Sequence, residues 1–187
     1  MIHPAYSDPQ LLEWTLDLSK QFNLKTFCET GTHHGGTAQI VSQYFDKIIT
    51  IESNPDSHQI ASNNLKDIQN CNLYLGNSPE IMSQCLEKNN SSIFFFLDAH
   101  WEYYWPLLDE LKVIKEKNLK PVIAIHDFYV PDENGNAKFA FDSYHGQPLN
   151  FTYIKDAIED IYGNSYETMY NTTPVINSGV IFIYPKK

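Results

Sequence analysis

The sequence predicts an α/β domain built on a seven-stranded, mostly parallel sheet with helices on both faces. Three observations carry that expectation. Short apolar runs alternate with longer amphipathic stretches five times along the chain. The run Ile93-Phe94-Phe95-Phe96-Leu97 is apolar at every position, as a central parallel strand covered on two sides must be. After the fifth unit, two strand-like segments follow each other with no helix between them, which predicts a closing antiparallel hairpin.

Taken in order, an opening helix is expected from Asp8 to Phe22, with Leu11, Leu12, Trp14, Leu16 and Leu18 on its apolar side. A strand from Thr26 to Glu29 leads into the turn Thr30-Gly31-Thr32-His33-His34-Gly35-Gly36 and a helix to about Tyr44. Ile48 to Ile51 forms the second strand and ends on Glu52. Pro55 is placed to open the next helix, through Ile60, Ala61, Leu65 and Ile68. Asn72 to Leu75 is the third strand, ending on Gly76-Asn77-Ser78, and Pro79 begins a helix through Ile81, Met82 and Leu86. The all-apolar fourth strand ends on Asp98. A helix from about Trp105 to Lys117 shows Leu107, Leu108, Leu111 and Ile114 at helical spacing. Pro121 to Ile125 is the fifth strand, ending on His126-Asp127. Tyr129 to Asn150, rich in Gly, Asn, Asp and Pro, is expected to be one long irregular loop, of a length that usually serves function. A helix from Phe151 to Tyr162 precedes the closing strands near Tyr166–Tyr170 and Gly179–Tyr184, with Asn177-Ser178-Gly179 as a turn signal between them.

With 187 residues and no linker or repeat, the chain is expected to be one domain over 1–187. Apolar residues make up 42% and charged residues 19%, which excludes a disordered chain. No run of about 18 apolar residues offers a membrane span, and Met1 to Tyr6 lacks the features of a leader. The net charge of −10, with only 13 basic residues, disfavours nucleic acid, whose phosphates require a Lys/Arg footprint. Cys28, Cys71 and Cys85 have no metal-ligand spacing, and Cys28 falls within a strand, where a small buried thiol is ordinary. The expectation is a reduced, cytoplasmic chain; a homo-oligomer stays open.

Ligands of open parallel sheets lie beyond the carboxyl ends of the strands. Here those ends carry Glu29, Glu52, Gly76-Asn77-Ser78, Asp98-Ala99-His100 and His126-Asp127, although the strands themselves are almost wholly apolar. Any one of them alone would be a routine cap; the set is hard to explain by solubility. The first turn has the spacing Glu-x-Gly-x-x-x-Gly, not the Gly-x-Gly-x-x-Gly that seats a diphosphate on a helix N-terminus. An acid before the first glycine repels a diphosphate and favours an ammonium. Glu52 suits ribose hydroxyls, or else it is a solvated cap. Ser78 suits an adenine edge, or else it caps a helix. Asp98 closes five apolar residues, and a carboxylate at that depth usually has a dedicated partner or a job.

Glu29-Thr30-Gly31-Thr32 with Gly35 resembles the first motif of class I (Rossmann-like) S-adenosylmethionine-dependent methyltransferases. That resemblance implies the strand order 3-2-1-4-5-7-6 with strand seven antiparallel. It also implies a cofactor site of Glu29, Gly31, Thr32, Gly35, Glu52, Ser53, Asn77, Ser78 and Asp98. Phe96-Leu97-Asp98-Ala99-His100-Trp101 with His126-Asp127-Phe128 is similar to small-molecule O-methyltransferases of the catechol and sugar groups. This narrower likeness implies a divalent metal, usually magnesium, at the ends of strands four and five (Asp98, His126 and Asp127). It further implies His100 as general base, with Asp98 and His126 in the catalytic set. The sequence departs from that pattern at His126, because magnesium prefers oxygen ligands. Two options stay open: a softer ion such as manganese, iron or zinc, or no metal, with His100 or His126 deprotonating the acceptor unaided.

The expected function is methyl transfer from S-adenosylmethionine to a small-molecule hydroxyl. The alternatives are a nucleotide-binding oxidoreductase on a similar sheet and a non-catalytic S-adenosylmethionine-binding protein. The N-terminal helix (residues 1–22) and the 129–150 loop are expected to shape the acceptor pocket. Trp101, Tyr103, Tyr104 and Trp105 either wall it or pack beneath the helix they open. His33 and His34 are expected to act through their backbone, His58 to be solvated, and His145 to be a weak candidate for approaching the acceptor.

Overall fold

The computed structural model describes residues 4–90, 92–100 and 104–187. Its strands are, in chain order, β1 (Thr26–Thr30), β2 (Lys47–Glu52), β3 (Cys71–Leu75), β4 (Ile93–Leu97), β5 (Val122–Ile125), β6 (Ser143–Tyr144), β7 (Gln147–Pro148), β8 (Tyr166–Tyr170) and β9 (Ile181–Pro185). All but β6 and β7 form one seven-stranded sheet in the order β3-β2-β1-β4-β5-β9-β8. β9 runs antiparallel to both β5 and β8, while β1 to β5 pair in parallel. With the small β6–β7 hairpin left out of the numbering, the seven strands take the expected order.

Alternation along β4 explains the two layers. Phe94 and Phe96 point into a cluster with Leu11 and Leu18 of α1 (Pro9–Phe22), Val41 of α2 (Gly36–Val41) and Ala61 of α3 (Pro55–Leu65). Ile93, Phe95 and Leu97 point the other way, onto α4 (Ser78–Cys85), α5 (Leu107–Glu116) and α6 (Phe151–Tyr162). A strand between two such layers has no solvated face, and for that reason its sequence shows no polar alternation. Cys28 lies in this core, fully buried, as expected.

Local chemistry sets the helix ends. Asp8 caps α1 by accepting the N–H groups of Gln10 (2.9 Å) and Leu11 (3.4 Å), with Pro9 at the first helical position. Asn23, at φ 52°, closes that helix. Asn54 caps α3 ahead of Pro55, and Asn150 caps α6 through the Tyr153 N–H at 3.0 Å. Three expectations are corrected. α2 stops at Val41, not Tyr44, and α5 begins at Leu107, not Trp105. Leu108 is 38% exposed, and the buried face of α5 carries Glu110 instead.

The 129–150 segment is not irregular throughout. β6 and β7 pair across His145-Gly146, both in the left-handed region (φ 49° and 78°), the geometry a two-residue hairpin turn demands. Further hydrogen bonds tie the segment to the sheet: Ala140 N–H to Asn177 O (3.2 Å), Gly179 N–H to Ala140 O (2.9 Å) and Asp142 N–H to Asp127 O (2.8 Å). Ahead of α1, Ala5–Ser7 forms a single 3-10 turn. Tyr6 is buried there, its hydroxyl 2.9 Å from that of Thr15 and its ring edge-on to Phe27 and Phe96. Among the described residues no helix is long and apolar enough to cross a membrane.

Register brings the strand ends level. Thr30 pairs with Ile51 on one side and Leu97 on the other, and His126 N–H reaches Leu97 O at 3.2 Å. Gly31, Glu52, Asp98 and His126 therefore stand along one rim.

Candidate functional site

A cleft of about 920 Å³ opens above that rim. Of the residues singled out from sequence, Gly31, Thr32, Glu52 and Ser53 line one part of it, and Ser78, Asp98, His100, His126 and Asp127 the rest. Pro4 and Ala5 also face it. The N-terminal contribution to the wall is thus the segment before α1, whereas helix α1 itself does not line the cleft, contrary to expectation.

Gly31 holds the first turn against the neighbouring strand end. Its φ is +83°, and a Cβ there would lie 2.6 Å from the Asp98 carbonyl oxygen. No other residue fits both conditions. Gly35 turns away from the cleft, its missing Cβ making room for Leu65 of α3 at 2.9 Å. Glu52 is fixed on both oxygens by backbone donors. Oε1 accepts from Ser53 (2.9 Å) and Asn54 (2.8 Å), and Oε2 from His33 (2.6 Å). Oε2, with one donor, keeps acceptor capacity for a ligand hydroxyl, whereas Oε1 is filled by its two. The His33 N–H is taken up by that bond, and the His33 and His34 rings stack 3.8 Å apart at the rim.

Glu29 lies behind the turn, only 1% exposed, and does not line the cleft. Its Oε2 accepts from the Thr50 hydroxyl at 2.6 Å, and Thr50 in turn lies 2.6 Å from the Thr32 hydroxyl. Burial pushes its carboxyl up to about 8, against the pull of the Thr50 hydrogen bond. A direct contact between Glu29 and a cofactor ammonium, expected from the sequence, is therefore not in place; Thr50 with Thr32, and Thr37, stand between it and the cleft. Asn77 likewise stands outside the lining, its amide 3.4 Å from Glu80 Oε1. Ser78 does line the cleft, but its hydroxyl donates to Glu110.

The opposite end of the cleft gathers acids and histidines. His126 Nδ1 lies 3.1 Å from Asp98 Oδ1 and 3.3 Å from Asp127 Oδ2. Burial pulls the imidazole down, but the two carboxylates outweigh it and hold its pKa well above the usual range. Burial likewise raises the Asp127 carboxyl, yet His126 and the Ser178 hydroxyl bring it down to about 2. The His126 imidazole thus bridges Asp98 and Asp127 and rests against the Phe96 ring at 5.8 Å between centroids. A metal between these two carboxylates would have to displace the bridging Nδ1–H. Asp98, His126 and Asp127, the set expected from sequence, each place one ligating atom within 4.8 Å of the others, with the imidazole seated between the two carboxylates.

His100 extends past this group, with Nδ1 3.4 Å from Asp142 Oδ2. Sequence reading missed Asp142, because a lone acid in a Gly/Asn-rich loop carries no signal until the loop's hydrogen bonds are known. It also missed Glu110, fully buried on α5, for which a signal existed: Glu110 follows Leu107 by three residues and precedes Ile114 by four, which puts it on the buried stripe. Burial raises its carboxyl to about 7 against the Ser78 hydrogen bond. Trp105 is buried, stacked on Tyr144 at 5.4 Å and edge-on to Tyr153 at 5.5 Å. Tyr104 bonds Asp109 at 2.5 Å. Trp101 and Tyr103 lie outside the described residues. His58 is half-buried on α3, and His145 is exposed at the hairpin tip without lining the cleft.

The sequence matches no family model and no curated protein. Solved structures do match. A candidate O-methyltransferase from Klebsiella pneumoniae superposes with a TM-score of 0.66 at 14% identity, over 96% of this chain and 81% of that one. An rRNA methylase from Streptococcus thermophilus gives 0.61 at 11% identity, over 100% and 99% of the two chains. A candidate methyltransferase from Streptococcus mutans in complex with SAH gives 0.56 at 16% identity, over 99% of each.

Proposed function

On the class I, Rossmann-like methyltransferase fold that the chain shares with those structures, we propose that it transfers a methyl group from S-adenosylmethionine to a hydroxyl of a small-molecule acceptor. The observation that carries this reading is that one cleft joins a rim made by Gly31 and Glu52 to a cluster of acids and histidines at Asp98, His100 and His126. The cradle fits the donor: backbone closes on it at Gly31 without a side chain, and Glu52 is pinned with a lone pair on Oε2 left for a ribose hydroxyl. Held by Gly31, Thr32, Glu52 and Ser53, S-adenosylmethionine would supply a sulfonium methyl group to the acceptor oxygen, with S-adenosylhomocysteine as the leaving product.

The chain's own part is alignment and proton removal. Thr32 and Ser53 flank the ribose end, and Ser78, held by Glu110, floors the adenine end. His100 takes the acceptor proton as its oxygen is methylated. The His126 bridge keeps Asp98 and Asp127 fixed beside it. A small acceptor is favoured over nucleic acid because all 13 basic residues are lysines and none lines the cleft among the described residues.

Lysine-free walls also disfavour the diphosphate of a dinucleotide cofactor. Calorimetric titration with S-adenosylhomocysteine and with NAD separates the two: saturable binding of the first and none of the second is expected. Tight NAD binding with no response to S-adenosylhomocysteine would overturn the reading. If S-adenosylhomocysteine binds yet no panel of sugar or phenolic hydroxyl acceptors takes a labelled methyl group, the chain is a binding protein.

A further inference from the structure

Beside the large cleft, and sharing Asp98, His126 and Asp127 with it, lies a second, much smaller pocket of about 20 Å³. That volume is roughly one water molecule's worth of space. Four carboxyl groups stand around it, those of Asp98, Glu110, Asp127 and Asp142, and among the described residues no lysine does. Much of the remaining wall is apolar, from Trp105, Leu107 and Leu149, so solvent screens these charges weakly.

A separate observation concerns Glu110 on α5. It is fully buried, and its Oε2 has no hydrogen-bond partner among the described residues, while Oε1 accepts the Ser78 hydroxyl. A buried carboxyl oxygen without a donor is costly. Elsewhere on the same wall, Asp127 and Asp142 bring one carboxylate oxygen each to within 4.8 Å of the other. A donor nitrogen about 2.8 Å from both spans that separation. Main chain fixes the pair, since Asp142 N–H bonds Asp127 O at 2.8 Å and Asp142 O accepts Leu149 N–H at 2.9 Å.

We propose that the acceptor carries a primary ammonium beside the hydroxyl to be methylated, and that Glu110, Asp127 and Asp142 hold that ammonium in this pocket. Three N–H donors on one water-sized, positively charged head match three carboxyl groups. A guanidinium or a quaternary ammonium is too large for the volume. The inference rests on the methyl-transfer reading for the fate of the hydroxyl. A held ammonium has no lone pair with which to attack the sulfonium. The O–CH₃ bond therefore forms as the S–CH₃ bond breaks, and the hydroxyl proton goes to His100. The adjacent positive charge also makes that hydroxyl easier to deprotonate.

The pocket can be tested apart from methyl transfer. The full chain, with and without S-adenosylhomocysteine, is titrated with methylammonium and with methanol, its neutral counterpart, by saturation-transfer NMR at constant ionic strength. One saturable methylammonium site is expected in both states, and none for methanol. Asp142→Asn, which keeps the main-chain bonds, and Glu110→Gln should each weaken methylammonium binding at least about tenfold. S-adenosylhomocysteine should bind Asp142→Asn as it binds the unaltered chain, which shows the fold intact. Absence of a saturable methylammonium site overturns the proposal, as does a site that Asp142→Asn leaves undiminished. A site that S-adenosylhomocysteine displaces overturns it too, by assigning these carboxylates to the donor's own ammonium. In a labelled-methyl assay, sugars with a hydroxyl beside a primary amine should take the label on oxygen, and their N-acetylated counterparts at least about tenfold less. Label on nitrogen, or on the N-acetylated sugars alone, refutes the proposal. Methylammonium bound with no label on any acceptor counts against methyl transfer and supports the ammonium site.

Discussion

At Gly31 the backbone of one strand end touches that of another, and the cleft depends on that contact. Gly31→Ala would force a Cβ to within 2.6 Å of the Asp98 carbonyl oxygen at a φ of +83°. The expected cost is about 1–3 kcal/mol of stability, read as a shift in urea midpoint, with S-adenosylhomocysteine affinity falling because the rim can no longer close. Glu29 makes a different prediction. Its folded pKa, about 8, stands above the ordinary 4.5, so the folded chain keeps a proton there that the unfolded chain releases. Stability is therefore greatest below about pH 4.5 as far as this group is concerned, and it is lost as pH rises through about 8. Glu29→Gln retains an oxygen to accept the Thr50 hydroxyl and removes the titration. The variant should gain stability relative to the unaltered chain between pH 6 and pH 9; denaturant curves at the two values check it, and equal differences at both would refute the assignment.

At the scale of elements, α1 shows how one side chain serves two parts of the fold. Asp8 caps the helix with Oδ1 and accepts the Val175 N–H at 2.7 Å with Oδ2, while Gln10 bonds Thr172 and Thr173 in the same β8–β9 connection. The Asn54 side chain caps α3 and makes no other hydrogen bond among the described residues. Asn54→Ala should cost about 1 kcal/mol, and Asp8→Ala measurably more, because a part-buried N–H loses its partner as well. Thermal melts of the two variants side by side test this. The same contrast explains what was legible in the sequence. β4 and α6 fall where periodicity put them, because burial on both faces and a strong amphipathic stripe are properties of the sequence itself. The β6–β7 hairpin escaped notice because strands of two residues have no period, and only His145-Gly146 marks their turn. Asp142 and Glu110 were missed for a related reason. The first depends on hydrogen bonds between distant segments, and the second breaks the apolar pattern that was used to find its helix. Glu29 was legible as a strand-end acid, but its depth below the turn follows from how Thr50 and Thr32 pack over it.

For the molecule as a whole, the sheet divides the interior into two clusters that meet only through the strands. Phe95 belongs to one and Phe94 to the other, and both are fully buried. Phe95→Ala should cost about 3–5 kcal/mol, whereas Val175→Ser, at a side chain 76% exposed, should stay within about 0.5 kcal/mol. Denaturant unfolding of both variants measures the contrast, and similar losses would contradict the described core.

The pairing of β9 beside β5 bears on when during synthesis the cleft can come into being. Asp127 is held by the Ser178 hydroxyl, 51 positions further on, and Phe128 N–H by Gly179 O at 2.8 Å. Strands β1 to β4 can pair while the ribosome is still adding α6, but the acid and histidine cluster cannot be set until residues 177–183 have emerged and inserted. Contacts of such long sequence separation form late. A nascent chain stalled before Ser178 would accordingly carry most of its sheet and no finished site.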